Sequence, residues 1–100
     1  MSLSIEKKLG ESAEVALAGR LDTTTAPEME TLLDELLPAA NTLTVDLSKL
    51  EYISSAGLRL ILKAQKAMSR KGGMKLKNVP EPVMDVFDIT GFADFLTIEN

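Results

Sequence analysis

Between residues 43 and 70 the spacing of apolar side chains switches from the period of a strand to that of a helix. Leu43-Thr-Val45-Asp-Leu47 alternates apolar and polar, as a half-buried strand requires. From Ala56 to Arg70 the pattern is helical, and Gly72-Gly73 ends it. On that helix Gly57, Leu60, Ile61, Ala64, Ala67 and Met68 share one face, which needs an apolar layer to pack against. A strand that hands over directly to an amphipathic helix is the repeating unit of an α/β sheet.

The rest of the chain supplies more of the same unit. Leu3, Ile5 and Leu9 with Lys7 between them predict a first strand, Gly10-Glu-Ser12 a turn, and Ala13 to Gly19 a second strand. Thr25-Ala-Pro27-Glu28 reads as a capping box with proline in the first turn. The helix it opens sets Met29, Leu32, Leu33, Leu36 and Leu37 on one side and Glu30, Asp34 and Glu35 on the other, and Pro38 stops it. Met74 to Val79 predicts a short strand, and Pro80-Glu-Pro82 starts a helix with Val83, Val86 and Phe87 inward and Gly91 at its end. Phe95 to Ile98 predicts a last strand. The expected fold is α/β, a mixed sheet of about four to five strands with helices packed on it. An antiparallel hairpin opens it, and right-handed βαβα units follow. Periodicity alone does not fix the strand order.

Composition excludes several classes of function. One hundred residues suit one domain, here 1–100. The chain has no cysteine and no histidine, which removes disulfides, Cys- or His-ligated metals and histidine-based nucleophilic catalysis. No cofactor or metal is expected. No apolar run approaches the ~20 residues of a membrane span, and no signal-peptide pattern is present, so a cytoplasmic domain without a membrane role is expected. Gly72-Gly-Met-Lys75 lacks the spacing of a phosphate-binding loop, and no enzyme is expected.

Net charge is −4, but its distribution says more. Arg59, Lys63, Lys66, Arg70, Lys71, Lys75 and Lys77 occur without an intervening acid, whereas residues 81–100 carry only acids. An acidic chain with one tyrosine and three phenylalanines is a poor nucleic-acid binder, so the basic segment suits an acidic protein surface. Arg59, Lys63, Lys66 and Arg70 form a stripe opposite the apolar face of the central helix, with Leu58 and Leu62 at its edge and Ser55 on the same side. Taken alone, such a stripe is a solvated face, and Ser54 or Ser55 a plain helix cap. Together they make a docking face with a hydroxyl at its margin. Gly57 in the first turn suits close helix–sheet packing, and equally an open approach to Ser55.

The run Asp46-Leu-Ser-Lys-Leu-Glu-Tyr-Ile-Ser54-Ser55-Ala-Gly57-Leu resembles the signature of STAS domains, above all stand-alone anti-sigma-factor antagonists of bacterial partner switching. Gly19-Arg-Leu-Asp22 with the threonines after it, and Val83-Met-Asp-Val-Phe87-Asp-Ile-Thr-Gly91-Phe92, are similar to two further elements of that family. The resemblance implies a protein that binds an anti-sigma factor, itself a serine kinase, and is released when a serine is phosphorylated. A serine phosphatase would reset it. Counting back from Gly57 sets Ser55 at the phosphorylated place and Ser54 where the family usually has an acid, with Ser54 kept as the alternative. Partner contacts are implied at Asp22, Thr24, Ser54, Ser55, Gly57, Leu58, Arg59, Leu62, Lys63 and Lys66. A second reading is a STAS adaptor outside sigma control, such as a regulatory subunit of a transporter ATPase or signalling complex. Weak nucleotide binding near Ser55 stays open.

Overall fold

Three crossover connections in succession, each adding a strand on the same side of the last, build a sheet with its helices on one face. That is the arrangement in the computed structural model, which describes residues 3–99. The elements are β1 (Leu3–Lys8), β2 (Ser12–Leu21), α1 (Ala26–Leu36), β3 (Thr42–Ile53), α2 (Ser55–Ser69), β4 (Met74–Lys77), α3 (Glu81–Thr90), a 3-10 turn (Phe92–Phe95) and β5 (Ile98–Glu99). The sheet order is β1-β2-β3-β4-β5. β1 and β2 form the expected antiparallel hairpin, and the remaining pairs are parallel.

Alternation along the strands defines the two faces. Val15 and Leu17 of β2, Leu43 and Val45 of β3, and Met74 and Leu76 of β4 are buried beneath the helices. Met29, Leu32, Leu33 and Leu36 of α1 and Val83 and Phe87 of α3 close the core from the other side. Ser4, Glu6, Glu14, Lys75 and Lys77 are exposed on the opposite face of the sheet, over which no helix lies among the described residues.

β3 is longer than its period-two pattern predicts. Its pairing with β2 slips twice: Ala16 faces Asp46 while Ala18 faces Lys49, and Gly19 faces Leu50 while Arg20 faces Tyr52. Each slip inserts one extra residue in β3, a bulge, which is uncommon between parallel strands. Beyond Val45 the buried positions are therefore Leu47, Leu50 and Ile53, three apart. The Asp46 carboxylate accepts a 2.9 Å bond from the Ser48 amide at the first bulge, which replaces a lost ladder bond.

Four local expectations are revised. Leu9 lies beyond β1 and is 45% exposed. The predicted last strand at 95–98 is displaced to Ile98–Glu99, because Gly91, left-handed at φ 79°, leads into the turn of Phe92–Phe95. Val86 is only partly buried. The capping box at Thr25 does not form: Thr25 Oγ1 donates to Arg20 O at 2.8 Å and accepts from the Asp22 amide at 2.9 Å.

Candidate functional site

The carboxyl ends of β2 and β3 and the amino ends of α1 and α2 meet at one rim of the sheet. The Ser54 amide donates to Leu21 O at 2.9 Å and ties the start of α2 to the end of β2. Ser54 is the N-cap: its backbone is extended, at φ −96° and ψ 175°, and its hydroxyl accepts from the Gly57 amide at 3.3 Å. Ser55 is the first helical residue and is exposed. The two serines thus divide the work. One hydroxyl is engaged in capping, and the other faces solvent one residue later.

Gly57 lies inside, and its neighbours explain the absence of a side chain. A Cβ there would stand 2.8 Å from Leu21 Cγ, a branch carbon, and 2.9 Å from Ile53 Cγ1, a mid-chain methylene, both in buried residues. Close packing of α2 on the sheet is therefore its structural role. Leu58, expected at the edge of the basic stripe, is 4% exposed and belongs to the core. The helix turns it inward rather than out to a partner. Leu62, one turn on, is half-buried.

The loop after β2 is built around one carboxylate. Asp22 Oδ1 accepts from the Thr24 hydroxyl at 2.7 Å, the Thr24 amide at 3.0 Å and the Thr25 amide at 3.1 Å. These bonds, the Thr24 hydroxyl foremost, hold its carboxyl below the ordinary range, because each favours the charged form. The other carboxylate oxygen lies 3.6 Å from Arg20 Nε. Arg20 in turn stacks on Tyr52, its guanidinium carbon 4.3 Å from the ring centre. Sequence reasoning quoted Arg20 and Tyr52 within the motifs but gave neither a role at the site. Their cross-strand pairing depends on the second bulge, which no pattern in the sequence announces.

Arg59, Lys63, Lys66 and Arg70 are all exposed and form the expected stripe along α2. The rest of the basic segment disperses. Lys71 Nζ donates to Leu37 O at 2.6 Å and Ala40 O at 3.0 Å, satisfying carbonyls at the end of α1. Lys75 pairs with Glu99 at 3.3 Å. Within the stripe Lys63 reaches across to α1, 3.1 Å from Asp34 and 3.9 Å from Glu30. Between the helices runs a shallow groove lined by Thr23, Pro27 and Glu30 on one side and Ala56, Arg59 and Lys63 on the other. Ala56, which follows Ser55 in the chain, belongs to its lining.

Ser55, Ala56, Arg59, Lys63 and the Asp22–Thr24 loop therefore form one continuous polar rim. What it offers is exposed hydroxyls, cations and the first amides of α2, while the Thr24 and Thr25 hydroxyl contacts to Asp22 belong to the turn after β2. Comparison with known proteins bears on this arrangement. A family model described as "Mlab, STAS domain" matches residues 5–98. The anti-sigma-B factor antagonist of Bacillus subtilis is 31% identical over 100 residues, which covers 98% of this chain and 92% of that protein. Its namesake in Listeria monocytogenes is 26% identical over 102 residues, covering 100% and 90%. Among solved structures, an anti-sigma factor antagonist from Mycobacterium paratuberculosis superposes with a TM-score of 0.86 at 18% identity, over 96% of this chain and 84% of that one. Unphosphorylated SpoIIAA superposes at 0.74 with 20% identity, over 98% and 87%. The phosphorylated Bacillus SpoIIAA does so at 0.75 with 18% identity, over 97% and 92%. Fold, motif order and the matched family model agree, and the chain belongs to the STAS domain family.

Proposed function

We propose that this protein is an anti-sigma-factor antagonist whose partner is an anti-sigma factor with serine kinase activity, and that phosphorylation of Ser55 ends their complex. The observation that carries the proposal is the exposed Ser55 hydroxyl in the first turn of α2, on the surface that presents Arg59, Lys63 and Lys66. The names of the Bacillus and Listeria relatives support the antagonist role. In this reading the protein is a regulator and a kinase substrate, not an enzyme. Docking uses the α2 stripe, the half-buried Leu62 and the loop of Asp22 and Thr24. Leu58 and Gly57 act from beneath by seating the helix.

The covalent step is a phosphoryl transfer. The Ser55 oxygen attacks the γ-phosphorus of ATP, the hydroxyl loses its proton, and ADP leaves. The product carries roughly 1.5–2 additional negative charges at neutral pH. Set against an acidic partner surface, that charge is repelled and desolvated. A loss of about 2.8 kcal/mol suffices to weaken binding a hundredfold. The first amides of α2 have no intrahelical acceptors, so the domain bears the charge without refolding. A serine phosphatase then restores the binding form.

The test is direct. A candidate anti-sigma serine kinase from the same genome is incubated with the protein and ATP, and the phosphate is mapped by mass spectrometry. Modification at position 55, abolished in Ser55→Ala, is expected. Modification confined to Ser54 would transfer the role to the capping hydroxyl. Regulation unaffected by Ser55→Ala would instead favour the adaptor reading.

A further inference from the structure

We infer that Arg59 is the internal counterion of phosphorylated Ser55, so that modification withdraws a cation from the docking surface as well as adding an anion. The inference rests on the proposed modification of Ser55 and deepens it. Residues four apart on a helix bring their Cβ atoms to about 5–6 Å, and an acid preceding a base by four is the favourable order. Ser55 and Arg59 stand in that relation, and both are exposed on α2.

The other cations are removed by distance or by commitment. Lys63 is eight residues along, about 12 Å by helical rise, and already bridges Asp34 and Glu30. Lys66 and Arg70 lie still farther along α2. Lys71 holds the end of α1, and Lys75 pairs with Glu99. Arg20 sits 3.6 Å from Asp22 and stacks on Tyr52. Among the described residues no acidic side chain lies within ion-pair distance of Arg59, although Glu30 lines the same groove. Its guanidinium is therefore uncommitted until a phosphate arrives one turn away. A planar guanidinium binds phosphate oxygens with two parallel bonds, which a lysine at the same place would not reproduce.

Ser54 makes the internal contrast. Its hydroxyl faces the Gly57 amide, and it stands five residues from Arg59, off the i, i+4 relation. A phosphate there would displace the cap rather than meet the arginine.

The pairing is tested on the protein alone, with phosphoserine installed at position 55 or 54 by genetic code expansion. The phosphate is titrated by 31P NMR in the wild-type background and in Arg59→Gln. With phosphoserine at 55, Arg59→Gln is expected to lower the second ionisation constant by about two- to fivefold, the range that exposed ion pairs supply. The difference should shrink in 1 M salt, as Debye screening tightens to about 3 Å. With phosphoserine at 54 the substitution should have little effect. Identical titrations at position 55 in both backgrounds would overturn the inference, as would equal responses at 54 and 55. The antagonist reading is judged separately, by whether phosphoserine at 55 weakens binding to the anti-sigma factor. In that assay Arg59→Gln should already bind less tightly and lose less on phosphorylation than wild type. An equal fold-loss in both would refute the withdrawal of Arg59.

Discussion

Replacing Gly57 by alanine sets two known effects against each other. In the interior of a helix the exchange would gain up to about 1 kcal/mol of propensity. Gly57 lies in the first turn of α2, where that gain is smaller. Against it stands a methyl group placed 2.8 Å from Leu21 Cγ, 2.9 Å from Ile53 Cγ1 and 3.1 Å from Leu21 Cδ2. The two nearest are not side-chain ends, Leu21 Cγ being a branch carbon and Ile53 Cγ1 a mid-chain methylene, and Leu21 and Ile53 are 0% and 2% exposed, so neither side chain can swing aside. Overpacking of this kind costs about 1–3 kcal/mol. The net expectation for Gly57→Ala is a loss of about 1–2 kcal/mol, which at this chain length lowers Tm by roughly 4–15 °C. Urea unfolding followed by circular dichroism measures it as a lower midpoint with unchanged slope. A variant as stable as wild type, or more so, would show that α2 does not sit on the sheet as closely as described.

Further expectations follow from the same geometry. Ser54→Ala should cost about 0.5–1 kcal/mol, the low end for a cap because the bond is long, whereas Ser55→Ala should stay within about 0.5 kcal/mol. Chemical denaturation separates them, and the reverse order would exchange the roles of the two serines. Leu58→Ala should cost about 2–5 kcal/mol as a core truncation, and Leu62→Ala clearly less, by the same assay. Asp22 has a lowered carboxyl pKa, so its contribution to stability is present above the unfolded value and is lost as pH falls through the folded one. Thermal melts between pH 5 and pH 2 should therefore show a shallower acid loss in Asp22→Asn than in wild type, with Asp46 supplying part of what remains. Lys63→Ala should change stability by no more than about 1 kcal/mol at low salt and less at high salt, since its partners are exposed.

How far the chain could be read from its residues depended on whether local pattern and tertiary demand agreed. α1 was legible because Met29, Leu32, Leu33 and Leu36 repeat at helical spacing and all are buried. The first part of β3 was legible for the same reason, up to Leu47. Past it the two bulges replace alternation by a three-residue spacing that imitates a helix, and the strand disappears from a period-two reading. Leu58 misled because a helical net assigns angle but not depth, and this residue is buried on a flank that the apolar face alone does not include. The exposure of Ser55 and of the stripe followed from helical phase. What gives that phase its origin is Ser54, and only coordinates separate a capping serine from the first residue of the helix. Thr25 carried the right letters for a capping box, yet Arg20 O and the Asp22 amide, brought close by the turn, took its hydroxyl first.

The bare side of the sheet has a practical consequence. Because the rim that bears Ser55 is assembled from loop and helix, cargo attached to Ser4, Glu6, Glu14 or Lys75 meets neither the packed interior nor the α2 stripe. A fluorophore, tether or fused module mounted there would travel with the domain while leaving the edge that carries Ser55 unobstructed. The molecule thus carries its own handle, on the side its crossovers left unroofed.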